Sequence, residues 1–113
     1  MKKKISVALP VLRGNEKKYV NDCLETSWIS SIGDYINKFE NSFADFCSVR
    51  HALCCSNGTV ALHLALLALD IAPDDEIIVP TLTYVAVANA VKYCRANLYL
   101  WILKWIHGIW IHA

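Results

Sequence analysis

The sequence predicts an α/β fold with a largely parallel sheet. Two observations carry that expectation. From His51 to Tyr93 strand-like and helix-like segments alternate, and the two helical segments among them are apolar on nearly every side, as helices that belong in an interior are. At 113 residues the chain has room for one small domain with a modest core.

Residues 1–14 mix apolar positions with Pro10 and Gly14, which favours an extended arm. Asn15 is placed to cap a helix from Glu16 to Ser27, in which Tyr19, Val20, Cys23 and Leu24 recur at helical spacing. Trp28 to Gly33 reads as a loop. Asp34 can cap a second helix whose Ile36, Phe39, Phe43 and Phe46 share one face, and that face must pack on something. His51 to Cys55 reads as a short strand, Ser56 to Thr59 as a turn and Val60 to Leu69 as a buried helix. Pro73-Asp74-Asp75 makes a turn, Glu76 to Val79 a strand, Pro80 to Thr83 a loop and Tyr84 to Tyr93 a further apolar helix. The chain divides into an arm, helix and loop (1–33), a partial α/β domain (34–97) and a Trp-rich tail (98–113).

A hydrophobic content of 56%, with 19% charged residues, fits a globular chain, and a net charge of +1 gives no electrostatic reason to expect nucleic acid. Lys2, Lys3 and Lys4 resemble the start of an export signal, yet Pro10, Arg13 and Glu16 interrupt the apolar run that must follow. A cytoplasmic location is therefore expected. Cys23, Cys47, Cys54, Cys55 and Cys94 include no C-x-x-C spacing, so neither a metal site nor a disulfide framework is expected, only small buried apolar side chains in a reducing compartment. The tail from Leu98 to Ala113 holds three of the four tryptophans. It is too short and, with Lys104 and two histidines, too polar to span a bilayer, so no membrane role is expected. The alternative reading of the chain is a small membrane-associated or interaction protein that works through this tail.

One constellation points to chemistry. The turn Ser56-Asn57-Gly58-Thr59 puts backbone N–H groups, a glycine and a hydroxyl at a helix N-terminus, where phosphate binds well, although helix capping alone also accounts for Ser, Asn and Thr there. The second loop, Pro80 to Tyr84, leaves the next strand's carboxyl end on the same side of a parallel sheet, the edge at which such sheets bind ligands. The Tyr84 ring could lie flat on a planar heterocycle while the first turn holds its phosphate. His63, inside an apolar helix, reads as a packed residue. Asp74, Asp75 and Glu76 read as a solvated turn.

The runs His51-Ala52-Leu53, Ser56 to Leu66 and Asp75 to Ala86, with Trp28 to Gly33 and Lys38-Phe39-Glu40 upstream, closely resemble the DegT/DnrJ/EryC1/StrS aminotransferases over roughly residues 5–97. The resemblance implies an incomplete N-terminal part of the large domain of a fold-type I transferase that uses pyridoxal 5'-phosphate (PLP). It also implies amino transfer from glutamate to a 4-keto-6-deoxy nucleotide sugar, and homodimers among full-length relatives. Carried over residue by residue, it gives Gly58 and Thr59 to the cofactor phosphate and Tyr84 to the pyridine ring, with Ser56 and Asn57 as weaker neighbours. Trp28 to Gly33 lies near the active site in such enzymes but receives no specific contact.

The resemblance supplies no catalytic residue. The lysine that holds the cofactor covalently and the acid on its pyridinium nitrogen fall beyond residue 113 in the family, so a partial cofactor site and no independent transamination are expected. Where this chain reads Arg95 to Ile102 the family usually reads Gly-Ala-x-Pro-Val-Phe-Val-Asp. The two runs are related by a shift of reading frame, which predicts a one-base deletion near codon 98. Sequencing the gene tests this: no single inserted base that restores a long open frame would remove the idea.

Overall fold

The computed structural model describes residues 8–106 and 109–112. Instead of one domain there are two compact units, residues 1–53 and 54–113. The first holds α1 (Glu16–Glu25) and α2 (Asp34–Cys47); the second holds α3 (Gly58–Ala68), β1 (Glu76–Pro80), α4 (Val85–Tyr93), β2 (Asn97–Trp101), β3 (Leu103–Ile106) and β4 (Ile109–His112).

In the first unit the two helices are tied by a polar contact. The Tyr35 hydroxyl donates to the Asp22 carboxylate at 2.8 Å, the Tyr19 and Tyr35 rings lie 5.2 Å apart, and the Lys38 ammonium sits 5.0 Å from the Tyr35 ring centroid. Asn15 occupies the N-cap position of α1 without a side-chain cap bond, and Gly33, not Asp34, precedes α2. Asp34 instead places its charge in the first turn, where the helix dipole favours it. The apolar face of α2 forms as its spacing predicts, with Phe39 stacked on Phe43 at 5.7 Å, yet only Ala44 of this helix is buried.

The second unit is a strand–helix–strand crossover. β1 and β2 run parallel in register from Glu76 opposite Asn97 to Pro80 opposite Trp101, with α4 connecting them. Parallel neighbours need such a crossover, because no tight turn can return the chain to the same direction. Its core is Val79 of β1, Val91 and Cys94 from the end of α4, and Ala96 before β2, with Leu66, Ile71, Ile77, Val87 and Leu98 packed around them. Val79 and Val91 keep 2% and 1% of their surface. The sheet is extended at both ends by backbone bonds from Asn97 N–H to the Asp75 carbonyl and from Thr81 N–H to the Trp101 carbonyl. The Tyr99 hydroxyl donates to Glu76 at 2.9 Å, which holds the phenol pKa above its ordinary value.

Helix ends follow a common device. At the end of α3, Ile71 N–H bonds the Leu66 carbonyl and Asp70 N–H bonds the Leu67 carbonyl, with Asp70 left-handed at φ 56°. That is the Schellman arrangement, and Ile71 and Leu66 both pack against the core. Arg95, at φ 60°, closes α4 in the same left-handed region.

Several expectations need correction. No strand forms at His51 to Cys55, since the only parallel ladder among the described residues is β1 with β2, and a strand exists only through a partner. Of the five cysteines only Cys94 is buried; Cys23 and Cys55 are half-buried and Cys47 and Cys54 exposed. No residue of α3 is buried, because α4 covers just one of its sides. The tail is regular where it can pair: Asn97 to Trp101 become β2, and β3 pairs antiparallel with β4, Trp105 opposite Trp110. No described helix is long and apolar enough to cross a membrane.

Two measurements check this account. Arg95→Gly is expected to raise stability by about 1 kcal/mol, because glycine adopts the left-handed conformation without a Cβ penalty; an unchanged or lower denaturation midpoint would count against that backbone. The Tyr35 phenol is pushed up to about 12, first by its hydrogen bond to Asp22. A raised pKa means that folding favours the protonated phenol. Its contribution is full below the ordinary value of about 10 and disappears as pH rises through about 12. Tyrosinate absorbance should show one residue ionising late, and Asp22→Asn should return it to the others.

Candidate functional site

Two helix starts define the site. Asn57, extended at φ −166°, is the N-cap of α3: its Oδ1 accepts from Val60 N–H at 3.1 Å, and its carbonyl accepts from Ala61 N–H. The side-chain cap satisfies the third helical amide. The first two, of Gly58 and Thr59, have no helical acceptor and point outward along the axis. Tyr84 is the N-cap of α4 by backbone conformation alone, its carbonyl accepting from Val87 N–H at 3.0 Å, so its ring takes no part in capping.

The packing of α3 on α4 brings these starts together. Gly58, Thr59, Ala61, Leu62, Tyr84, Ala86 and Val87 line one open groove of about 560 Å³. β1 runs from Glu76 to Pro80 and exits through Thr81 to Tyr84, so the groove lies at the carboxyl side of the sheet. An ideal Cβ built on Gly58 would meet nothing within 4 Å, which leaves the approach to the amides open. Tyr84 is 81% exposed, so a ring face is available to a flat ligand.

Of the predicted residues, Gly58, Thr59 and Tyr84 therefore share the groove. Ser56 and Asn57 do not line it: Asn57 is engaged in capping, and its Nδ2 lies 3.4 Å from Ser56 Oγ. The walls formed by Ala61, Leu62, Ala86 and Val87 were missed. Their signal was periodicity, since Ala61 and Leu62 stand three and four residues after Gly58 and share its side of the helix.

The other titratable candidates have structural roles. His63 meets the Tyr93 ring edge-on at 5.5 Å, within the α3–α4 contact. Asp75 accepts from Ala72 N–H at 2.7 Å and so closes the turn before β1, while Glu76 receives the Tyr99 hydroxyl. Trp28, Ile29, Ser30 and Gly33 line a 350 Å³ groove in the first unit. A larger groove of 920 Å³ runs between α1 and α2 there, but its walls are mainly apolar faces such as Tyr19, Leu24 and Phe39. Size alone does not single out that groove as a site.

The DegT/DnrJ/EryC1/StrS aminotransferase family profile matches residues 10–100. The chain belongs to this family. It is 60% identical over 94 residues to a GDP-perosamine synthase from Caulobacter vibrioides, a match that covers 83% of this chain and 25% of that protein. The GDP-perosamine synthase of Escherichia coli O157:H7 is 62% identical over 95 residues, 84% of this chain and 26% of the relative. Among solved structures, an aminotransferase from Psychrobacter cryohalolentis superposes with a TM-score of 0.76 at 30% identity, covering 84% of this chain and 24% of that one. The PLP form of a sugar aminotransferase from Streptococcus pneumoniae gives 0.76 at 28% identity, with 87% and 25% covered. The chain thus spans about a quarter of the length of the relatives it matches.

The cap is testable by itself. Asn57→Ala is expected to cost about 1 kcal/mol of stability, and Asn57→Ser to recover most of it, read from urea denaturation midpoints.

Proposed function

We propose that this chain provides the phosphate side of a PLP site in a sugar-nucleotide aminotransferase, one that moves an amino group from glutamate to a 4-keto-6-deoxy nucleotide sugar. The observation that carries the reading is the shared groove: two outward amides and a hydroxyl at the start of α3 stand across from an uncapped aromatic ring at the start of α4. Phosphate suits the first and a pyridine ring the second.

The fit can be followed group by group. Gly58 and Thr59 amides, with the Thr59 hydroxyl, would hold a phosphate dianion at the positive end of the α3 dipole. Asn57 keeps Val60 N–H satisfied, so the helix start is formed in advance. Tyr84 would lie against the ring and exclude water from one face. Bound PLP supplies the electron sink that amino transfer requires. By resemblance to the family, the covalent lysine and the acid that pairs with the pyridinium nitrogen belong to a part of a family member other than the stretch matched by residues 10–100. A homodimeric enzyme in the cytoplasm, where the chain's five cysteines would stay reduced, completes the reading.

Equilibrium dialysis of the chain with PLP tests it without calling on activity. Saturable binding is expected, with Thr59→Val and Tyr84→Ala each weakening it roughly tenfold, equal to about 1.4 kcal/mol. Pyridoxal, which lacks the phosphate, should bind far more weakly. Equal binding of pyridoxal and PLP, or indifference to both substitutions, would sink the proposal.

A further inference from the structure

One pair of residues is unlike any other in the chain. Asn57 is followed directly by Gly58, whereas each of the other six asparagines is followed by a residue with a side chain. An asparagine amide is open to attack by the backbone nitrogen of the next residue, because that attack closes a five-membered ring. A Cβ on the attacking residue hinders the approach, and glycine has none.

The fold keeps this pair open and sets a useful group on each side of the reaction. Ser56, Asn57 and Gly58 are exposed, and a Cβ built on Gly58 would meet nothing within 4 Å. The Gly58 N–H is the first amide of α3 and has no acceptor within the helix, so its nitrogen attacks without giving up a helical bond. At the electrophile, Asn57 Oδ1 accepts from Val60 N–H at 3.1 Å. That donor, at the positive end of the α3 dipole, points at the atom that takes up negative charge as Cγ becomes tetrahedral. At the leaving group, Asn57 Nδ2 lies 3.4 Å from Ser56 Oγ. Once Cγ is tetrahedral this nitrogen carries a lone pair, and the Ser56 hydroxyl can give it the proton it needs to depart.

We infer that Asn57 is a self-modifying residue, which loses its side-chain amide through a succinimide formed with Gly58. The Gly58 nitrogen gives its proton to water and bonds to Cγ; the Cγ–Nδ2 bond breaks and ammonia leaves. Water then opens the ring. Addition at Cγ yields aspartate, and addition at the Asn57 carbonyl carbon yields isoaspartate, with the chain rerouted through the side chain. Water is consumed, ammonia is released and nothing is oxidised or reduced. Isoaspartate also takes out of the backbone the carbonyl that accepts from Ala61 N–H at 3.1 Å, which loosens the first turn of α3. Either product puts a carboxylate at a helix start whose first turn has no acidic residue. One consequence rests on the cofactor reading: the new charge stands beside the amides given to phosphate, so anion binding falls as the chain ages.

The test follows the 113-residue chain, without PLP, at neutral pH over several days. Peptide mass spectrometry should find Asn57 exchanging its amide for a carboxylate well ahead of the other asparagines, and a methyltransferase specific for isoaspartate should label the same peptide. Gly58→Ala, which the open approach admits without a clash, should slow the loss roughly tenfold. Ser56→Ala should slow it several-fold in the folded chain and leave the rate in urea unchanged, with helical circular dichroism checking that both variants fold. The proposal is overturned if Asn57 keeps its amide, if Gly58→Ala loses it as fast, or if Ser56→Ala acts equally in the folded and unfolded chain. Equilibrium dialysis of the aged chain separates the two readings. Isoaspartate with a matching loss of PLP affinity supports both, whereas isoaspartate with unchanged affinity leaves the modification standing and removes the phosphate assignment alone.

Discussion

The seat of Val91 against Val79 is the contact on which the second unit depends. One side chain comes from α4 and the other from β1, and with Cys94 and Ala96 they form the cluster that holds helix to sheet. Without it the crossover has no reason to fold back, β2 loses its neighbour, and the start of α4 is no longer fixed relative to the start of α3. The groove is thus a consequence of apolar packing some distance from it. Each participant is small, so the cluster tolerates little loss: a missing methyl group leaves space that few neighbours can close.

Backbone geometry then does the rest of the positioning. Asn57 and Tyr84 both stand at N-caps, but they use the position differently. The amide side chain of Asn57 completes its helix and leaves two backbone donors facing outward, whereas Tyr84 caps nothing and keeps its ring for another partner. Charge has a small part in this arrangement. The carboxylates near the sheet, Asp75 and Glu76, are engaged with Ala72 N–H and the Tyr99 hydroxyl and so fasten the turn and the strand pair.

Much of this was legible in the letters. Helical spacing located α1, α2, α3 and α4, and the sequence of β1, loop and α4 followed from Pro80 and the apolar run after Tyr84. Gly58, Thr59 and Tyr84 were singled out by the family resemblance more than by local pattern, because a glycine and a hydroxyl at a helix start also serve as ordinary caps; the three line one groove. What could not be read was cover. His51 to Cys55 has the composition of a strand, but a strand is a relation between two segments and no local pattern names the partner. The phenylalanines of α2 and the leucines of α3 announce faces that need packing, and the letters within a helix do not state where the packing comes from. β2 shows the converse. Its ladder is made by peptide groups, so an apolar run from Leu98 to Trp101 that differs from the family pattern still pairs in register with β1.

The strand–helix–strand crossover also has a temporal meaning. Its strands are joined by a connection only as long as α4 and its two short loops, so the decisive contacts are close in sequence and cheap in loop entropy. A segment of that kind can close while a ribosome is still adding residues behind it. The groove would then take shape as soon as α4 and β2 are made, with no need of a contact distant in sequence.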